Sequence, residues 1–221
     1  MTIAGNTQMM HWNQRRSRLP EGYREVDYLE STGAQWIDTG IVPTNATGVL
    51  ITFEVPPDNI KDNVLFGVRG DTNTNSRFWI NINLGGDKKL AWGWNYYYFG
   101  HSLLYHAGVT LTLGLNYKDS RICTYNNNND YSINEHLASI TRSCFLFCAN
   151  NVGQAYFFIK TKVRSCEITS GTSIIRSYIP CVRTSDSKPG MYDLCGSICP
   201  LTGTPFYINA GAGKDFLWGE L

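Results

Sequence analysis

Three carboxylates fall within six residues: Glu25, Asp27 and Glu30. Two carboxyl groups about 5–5.5 Å apart support retaining glycoside hydrolysis, one attacking as nucleophile while the other alternates as acid and base. A bulge in the strand that carries them would bring all three to one face. Regular alternation instead puts Glu25 and Asp27 on one face and Glu30 on the other. A second candidate is the aromatic row Trp92, Trp94, Tyr96 and Tyr98, at i, i+2 spacing, with Tyr97 and Phe99 interleaved and following. On one unbroken strand the four share a face. Turned inward they are core, the commoner fate of such a row; turned outward they stack on sugar rings or anchor a partner.

Metal chemistry has weaker support. Asp71-Thr72-Asn73-Thr74-Asn75 is an oxygen-rich stretch of the kind that can hold calcium, and also of the composition that makes ordinary polar turns. No other cofactor is expected. Cys144-x3-Cys148 and Cys195-x3-Cys199 have the spacing of zinc ligands. Residues 143–148 read as a strand, however, in which i and i+4 lie roughly 13 Å apart, too far to share one ion. Cys195 and Cys199 sit in a Gly/Pro loop and are close enough in sequence to pair. The odd total of seven cysteines and the lack of an export signal favour free thiols acting as small core residues. His11, His101, His106 and His136 form no HExxH pairing, and there is no Walker loop or GxGxxG, so metalloprotease and nucleotide chemistry have no footing. Asn45-Ala46-Thr47 matches a glycosylation sequon, which has meaning only in a secreted chain.

These groups need a scaffold, and the chain supplies enough residues for one. Its 221 residues suffice for a single sizeable core, and 13% aromatic content with 21 glycines suits short strands punctuated by turns. A formal charge of +1 gives no footprint for nucleic acid or an anionic membrane. No apolar run approaches the roughly 20 residues of a membrane helix. Residues 1–18 hold Gln, Asn and Arg where a signal peptide is apolar, so the expected location is the cytosol or an assembled particle. From Pro20 onward, short apolar or alternating runs are separated by Gly, Pro, Asn and Asp. Strands are expected at 49–54, 63–68, 77–84, 90–98, 109–115, 121–125, 131–133, 144–148, 155–159, 162–169 and 174–179. The asparagine run 126–130 makes a turn, and 133–138 has room for one helical turn. So many short strands and so little helical period predict two antiparallel sheets packed face to face.

Residues 1–18 have no apolar period, yet contain Met9, Met10 and Trp12, followed by Arg15, Arg16 and Arg18. Either they form a loose terminus, or they form an arm that docks on a partner, with Trp12 as apolar anchor and the arginines as paired charges.

Two end motifs carry a family resemblance. The opening is Leu19-Pro20-Glu21-Gly22-Tyr23, then Val26-Asp27-Tyr28-Leu29-Glu30-Ser31-Thr32-Gly33-Ala34-Gln35-Trp36-Ile37-Asp38-Thr39-Gly40. The close runs from Arg176-Ser177-Tyr178-Ile179-Pro180-Cys181 through Gly190-Met191-Tyr192-Asp193-Leu194 to Phe206-Tyr207-Ile208-Asn209-Ala210-Gly211-Ala212-Gly213 and Phe216. In this order they resemble a family of concanavalin A-like (laminin G-like) jelly-roll proteins of phages and prophages of gut bacteria. The resemblance spans about residues 19–217. It implies an all-β, two-sheet antiparallel jelly-roll sandwich over 19–221, preceded by an extended arm over 1–18, with Val26, Tyr28 and Ile37 buried in the opening. In the close, Tyr192, Phe206, Tyr207 and Phe216 are then packing residues, while Gly190, Gly211 and Gly213 are turn positions open to positive φ.

The function it implies is a non-enzymatic virion component, a head-fibre, capsid decoration or tail-associated protein. Such a protein attaches through the arm to other virion proteins (capsid, fibre or tail) and is expected to be homo-oligomeric, with a trimer favoured. The alternative is a glycan-binding adhesin on a virion or bacterial surface, using Trp92, Trp94, Tyr96 and Tyr98 and contacting a host-surface glycan. The carboxylate cluster also resembles the Glu-x-Asp-x-x-Glu signature of laminarinase-type glycoside hydrolases. That second resemblance would make Glu25 the nucleophile, Asp27 its tuning partner and Glu30 the acid/base.

Overall fold

The computed structural model describes residues 18–56, 63–70, 76–82, 89–95, 97–102 and 107–221. Their strands in chain order are β1 (Tyr23–Glu25), β2 (Tyr28–Thr32), β3 (Ile37–Asp38), β4 (Thr47–Glu54), β5 (Asn63–Arg69), β6 (Arg77–Ile82), β7 (Lys89–Trp94), β8 (Tyr97–Ser102), β9 (Thr110–Leu115) and β10 (Ile122–Tyr125). There follow β11 (Asn128–Ser132), β12 (Phe145–Leu146), β13 (Ala149–Asn151), β14 (Gln154–Tyr156), β15 (Lys160–Ser170), β16 (Ser173–Arg183), β17 (Lys188–Asp193), β18 (Phe206–Tyr207) and β19 (Leu217–Gly219). The expected helical turn at 133–138 is irregular chain.

The strands form a two-sheet β-sandwich of jelly-roll type. One sheet runs β11-β10-β9-β4-β15-β16-β17-β18 and is extended by β1, β2 and β19. The other runs β14-β13-β5-β6-β7-β8, with β12 bridging β5 and β3. Pairing is antiparallel throughout except between β13 and β5. The core between the sheets follows from period-2 alternation. Val49, Ile51 and Phe53 of β4, Leu111, Leu113 and Leu115 of β9, and Val163, Cys166 and Ile168 of β15 face Phe66 and Val68 of β5, Phe78, Ile80 and Ile82 of β6, and Trp92 and Trp94 of β7.

The two ends of the chain are locked into the first sheet. β15 and β16 form a hairpin paired from Ser170/Ser173 back to Cys166/Tyr178, and then separate. Into the fork goes the opening segment: β2 pairs with Lys160 to Val163 of β15, and β1 with Cys181 to Arg183 of β16. Pro180 sits at the branch point. Its carbonyl accepts from Val26 N–H at 3.1 Å, and its own missing N–H falls on the same edge, where β15 has already departed. β19 then closes on the free edge of β2, Leu217 opposite Glu30 and Gly219 opposite Tyr28.

This pairing corrects the buried set of the opening. Val26 and Ile37 are buried at 2% and 1% exposure, but the core position between them is Leu29 at 0%. Tyr28 faces outward beneath the side chains of Lys162 and Arg164, whose cationic groups lie 5.0 and 5.8 Å from its ring centre. The expected strand 90–98 is a hairpin, because Asn95 takes a left-handed φ of 57° and turns β7 into β8. The expected strand 144–148 ends early, at Phe147, whose φ is 74°. The asparagine run is a two-residue turn, with Asn126 and Asn127 at φ 47° and 63°, and β11 already starts at Asn128.

Phe206, Tyr207 and Phe216 are buried and Tyr192 packs against the second, smaller cluster, as the closing motif requires. Gly190, Gly211 and Gly213 do not take positive φ. At Gly190 the requirement is close approach instead: a Cβ there would meet Tyr207 O at 2.4 Å and Phe206 Cε2 at 2.6 Å. Around Gly213 a Cβ would meet nothing within 4 Å. Gly190→Ala is therefore expected to cost about 1–3 kcal/mol, and Gly213→Ala less than about 0.5 kcal/mol. Thermal denaturation of the two variants beside wild type reads the difference directly.

Candidate functional site

Trp36 and Asp38 flank the buried Ile37, so both project from the outer side of β3. Phe145 of β12 stands opposite Asp38, and the Trp36 ring covers it, with centroids 4.1 Å apart and planes 31° apart. The indole is thus packed on Phe145 and remains half-buried. The Trp36 backbone is fixed by the closing segment. Its N–H donates to Asn209 Oδ1 at 3.1 Å, and its carbonyl accepts from Ala210 N–H at 2.9 Å. Asn209 Oδ1 also accepts from Gly211 N–H at 2.9 Å. A Cβ on Gly211 would come within 3.1 Å of Trp36 Nε1, so glycine here lets the backbone lie against the indole edge.

The preceding residue repeats the stitch. Gln35 is 2% exposed; its Oε1 accepts from Thr32 N–H at 2.8 Å, and its Nε2 donates to the carbonyls of Lys214 and Asp215 at 3.2 and 3.3 Å.

Between these walls is a cavity of about 180 Å³. Trp36 and Asp38 form one side, Ile208 and Ala210 another, and Cys199, Pro200 and Leu201 a third. Asp38 is the one charged residue in the lining. Its Oδ1 accepts from Gly40 N–H at 2.9 Å, while Oδ2 receives no hydrogen bond from the described residues. The chain that leads into the third wall is held by Asp193, whose carboxylate is fully buried. Asp193 Oδ1 accepts from Ser177 N–H at 2.8 Å and Cys195 N–H at 3.0 Å, Oδ2 from Ser197 N–H at 3.3 Å, and the Arg176 guanidinium lies 3.8 Å away. Ile198 and Leu201 remain 58% and 59% exposed on this loop. An aromatic face, a free carboxylate oxygen and apolar side walls can hold a small ligand with one apolar face and a hydroxyl donor.

The expected site residues lie elsewhere. Glu25 pairs with Arg18 and Asp27 with Arg164, so neither carboxylate is set against the other. Glu30 sits across from Lys162 on the outer face of β2. Lys162 itself pairs with Glu54 at 2.8 Å. Trp92 and Trp94 are fully buried, and Trp94 Nε1 donates to Glu135 O at 2.9 Å, so neither ring offers a face to a ligand. Tyr98 stands in register with Gly93, whereas Trp94 is in register with Tyr97, so the hairpin breaks the row. Tyr96, the stretch 71–75, and Met9, Met10, Trp12, Arg15 and Arg16 lie outside the described residues. All seven cysteines are free thiols, and six are buried. No group of three or more metal-ligating side chains occurs among the described residues.

Trp36 and Asp38 stand within the opening motif, but their partners come from near the other end of the chain. The readable signal was the i, i+2 pair of an aromatic and an acid around an apolar residue.

No family model matches the sequence, and no curated protein matches it, so the family resemblance of the end motifs stands on those motifs alone. Among solved structures the chain is similar to the CBM40 of the Ruminococcus gnavus IT-sialidase, at 14% identity and a TM-score of 0.48, covering 69% of this chain and 91% of that one. It is also similar to the NanB sialidase of Streptococcus pneumoniae, at 11% identity and a TM-score of 0.45, covering 90% of this chain. The match takes in 40% of the NanB chain. At these values the likeness is one of strand arrangement and carries no argument about activity.

Two outcomes follow from the geometry. Trp94→Ala is expected to act as a core deletion costing about 3–5 kcal/mol, visible as a lowered midpoint in denaturant. Thiol labelling of the native protein should modify Cys195 alone, and all seven thiols once denatured. Burial and the neighbouring Asp193 carboxylate push the Cys195 thiol up from its ordinary value. Its labelling rate should therefore keep climbing with pH beyond the point where an unperturbed thiol levels off.

Proposed function

We propose that this chain is a non-catalytic carbohydrate-binding jelly roll and that its ligand occupies the cavity at Trp36 and Asp38. The observation that carries the reading is that an indole and a carboxylate with one oxygen free of hydrogen bonds from the described residues line the same pocket. Sugars present an apolar C–H face and hydroxyl donors, and this site offers a counterpart to each. That the protein is not an enzyme belongs to the same proposal: Glu25, the expected nucleophile, and Asp27, its expected tuning partner, are each paired with an arginine, and Glu30, the expected acid/base, lies across from Lys162.

Delivery of such a module on a virion, with attachment through residues 1–18, is a compatible setting rather than a competing chemistry. Within that arm, Arg18 is the described anchoring candidate, and it is already paired with Glu25. No observation on the described residues favours a capsid or tail role over binding.

The test is a glycan array followed by titration calorimetry on wild type and Trp36→Ala. Loss of one stacking face should weaken a hit at least about tenfold, with the far-ultraviolet spectrum unchanged. A hit of equal affinity in both proteins would place binding elsewhere, and the absence of any saccharide hit would end the carbohydrate reading.

A further inference from the structure

We infer that the ligand of this cavity is a single neutral sugar residue at a chain end, bearing a methyl group as in 6-deoxyhexoses or N-acetylhexosamines, and that acidic sugars are rejected. The inference rests on the carbohydrate reading above and specifies its ligand class.

Asp38 is the one acidic or basic residue in the lining, and its Oδ2 is not engaged by a described cation. A sugar carboxylate brought within about 4–6 Å of it meets a like charge in partly desolvated surroundings, which disfavours binding. No lysine or arginine in the lining offsets this. Hydroxyl donors, by contrast, suit a carboxylate acceptor, since hydrogen bonds to a charged group are the stronger kind.

About 180 Å³ is small beside the roughly 300–1,000 Å³ of drug-sized ligand sites. That is room for one ring, not for a chain lying across the surface. Ile208, Ala210, Pro200 and Leu201 supply aliphatic walls that a hydroxyl-covered hexose would leave unmatched and that a methyl group fills. A cationic amino sugar would satisfy Asp38, but its charge would be stripped of water against these same walls.

The experiment is calorimetry on the full chain, wild type and the variants Trp36→Ala and Asp38→Asn. The ligands are methyl fucoside, methyl rhamnoside, N-acetylglucosamine, methyl galactoside, glucosamine, sialyllactose and methyl glucuronide. At least one methyl-bearing neutral sugar should bind, about fourfold or more tighter than methyl galactoside. The deoxy and acetamido arms identify which methyl is read. Glucosamine should bind more weakly than its N-acetyl form, and the two acidic sugars should not bind wild type. Asp38→Asn should weaken the neutral ligand several-fold and relax the exclusion of acidic ones.

If sialyllactose, glucuronide or glucosamine binds best and the binding falls with Trp36→Ala, the ligand class is wrong while the carbohydrate site stands. If no sugar binds, or binding ignores Trp36, the site itself is refuted and the inference with it. Because Asn keeps the acceptor for Gly40 N–H, Asp38→Asn tests charge without removing that turn.

Discussion

The fork between β15 and β16 is the constraint on which the rest of this sandwich depends. Two long strands that pair at their hairpin end and then part leave backbone donors and acceptors on both inner edges. Buried backbone groups must find partners, and β1 and β2 supply them, one on each arm of the fork. The same insertion sets Leu29 in the core and leaves Tyr28 outside it. A proline is tolerated at the branch because the N–H it lacks would have pointed into the gap.

That closure also builds the cavity. With β2 held between β15 and β19, the turn that follows it is delivered against the closing segment, where Gln35 and Asn209 stitch the two together. Trp36 is therefore fixed from both sides of the sequence. Its backbone is clamped by residues 209 and 210, and its ring by Phe145. Asp193 performs a comparable task for the chain leading into the opposite wall, gathering the Cys195 and Ser197 N–H groups, with that of Ser177 from β16, around one buried carboxylate. The cavity walls are tied to the fold by hydrogen bonds, and most of the side chains that line them are apolar.

How much of this was legible in the sequence depended on range. Strand runs such as 49–54 and 109–115 were readable because alternation is local, and the two-sheet arrangement followed from their number. The resemblance implied a buried Tyr28, whereas the chain leaves β1 at Glu25 and starts β2 at Tyr28, in a register that sets Leu29 inward. The aromatic row was read as one strand because nothing in Trp94-Asn95-Tyr96 announces a hairpin until Asn95 is seen with a positive φ. Gly190 was assigned to a turn, whereas its reason is the ring of Phe206 pressing on the backbone. The cavity was out of reach altogether. Trp36 and Ile208 belong to one wall system only after the whole first sheet has closed, and no spacing rule joins positions so far apart.

The pairing of β2 with β19 has a kinetic meaning as well. It joins positions near the two ends of the described chain, and β1 and β2 wait equally on β15 and β16 for partners. Contacts of such sequence separation are expensive in loop entropy and belong to the slow, millisecond-to-second end of folding. During synthesis the opening strands would emerge long before anything exists for them to pair with, and the apolar residues of β2 stand unprotected until β15, at Lys160–Ser170, has been made. Folding of the first sheet is thereby a late event that waits on the later strands, and the cavity walled by Trp36 and Ile208 is among the last features to exist.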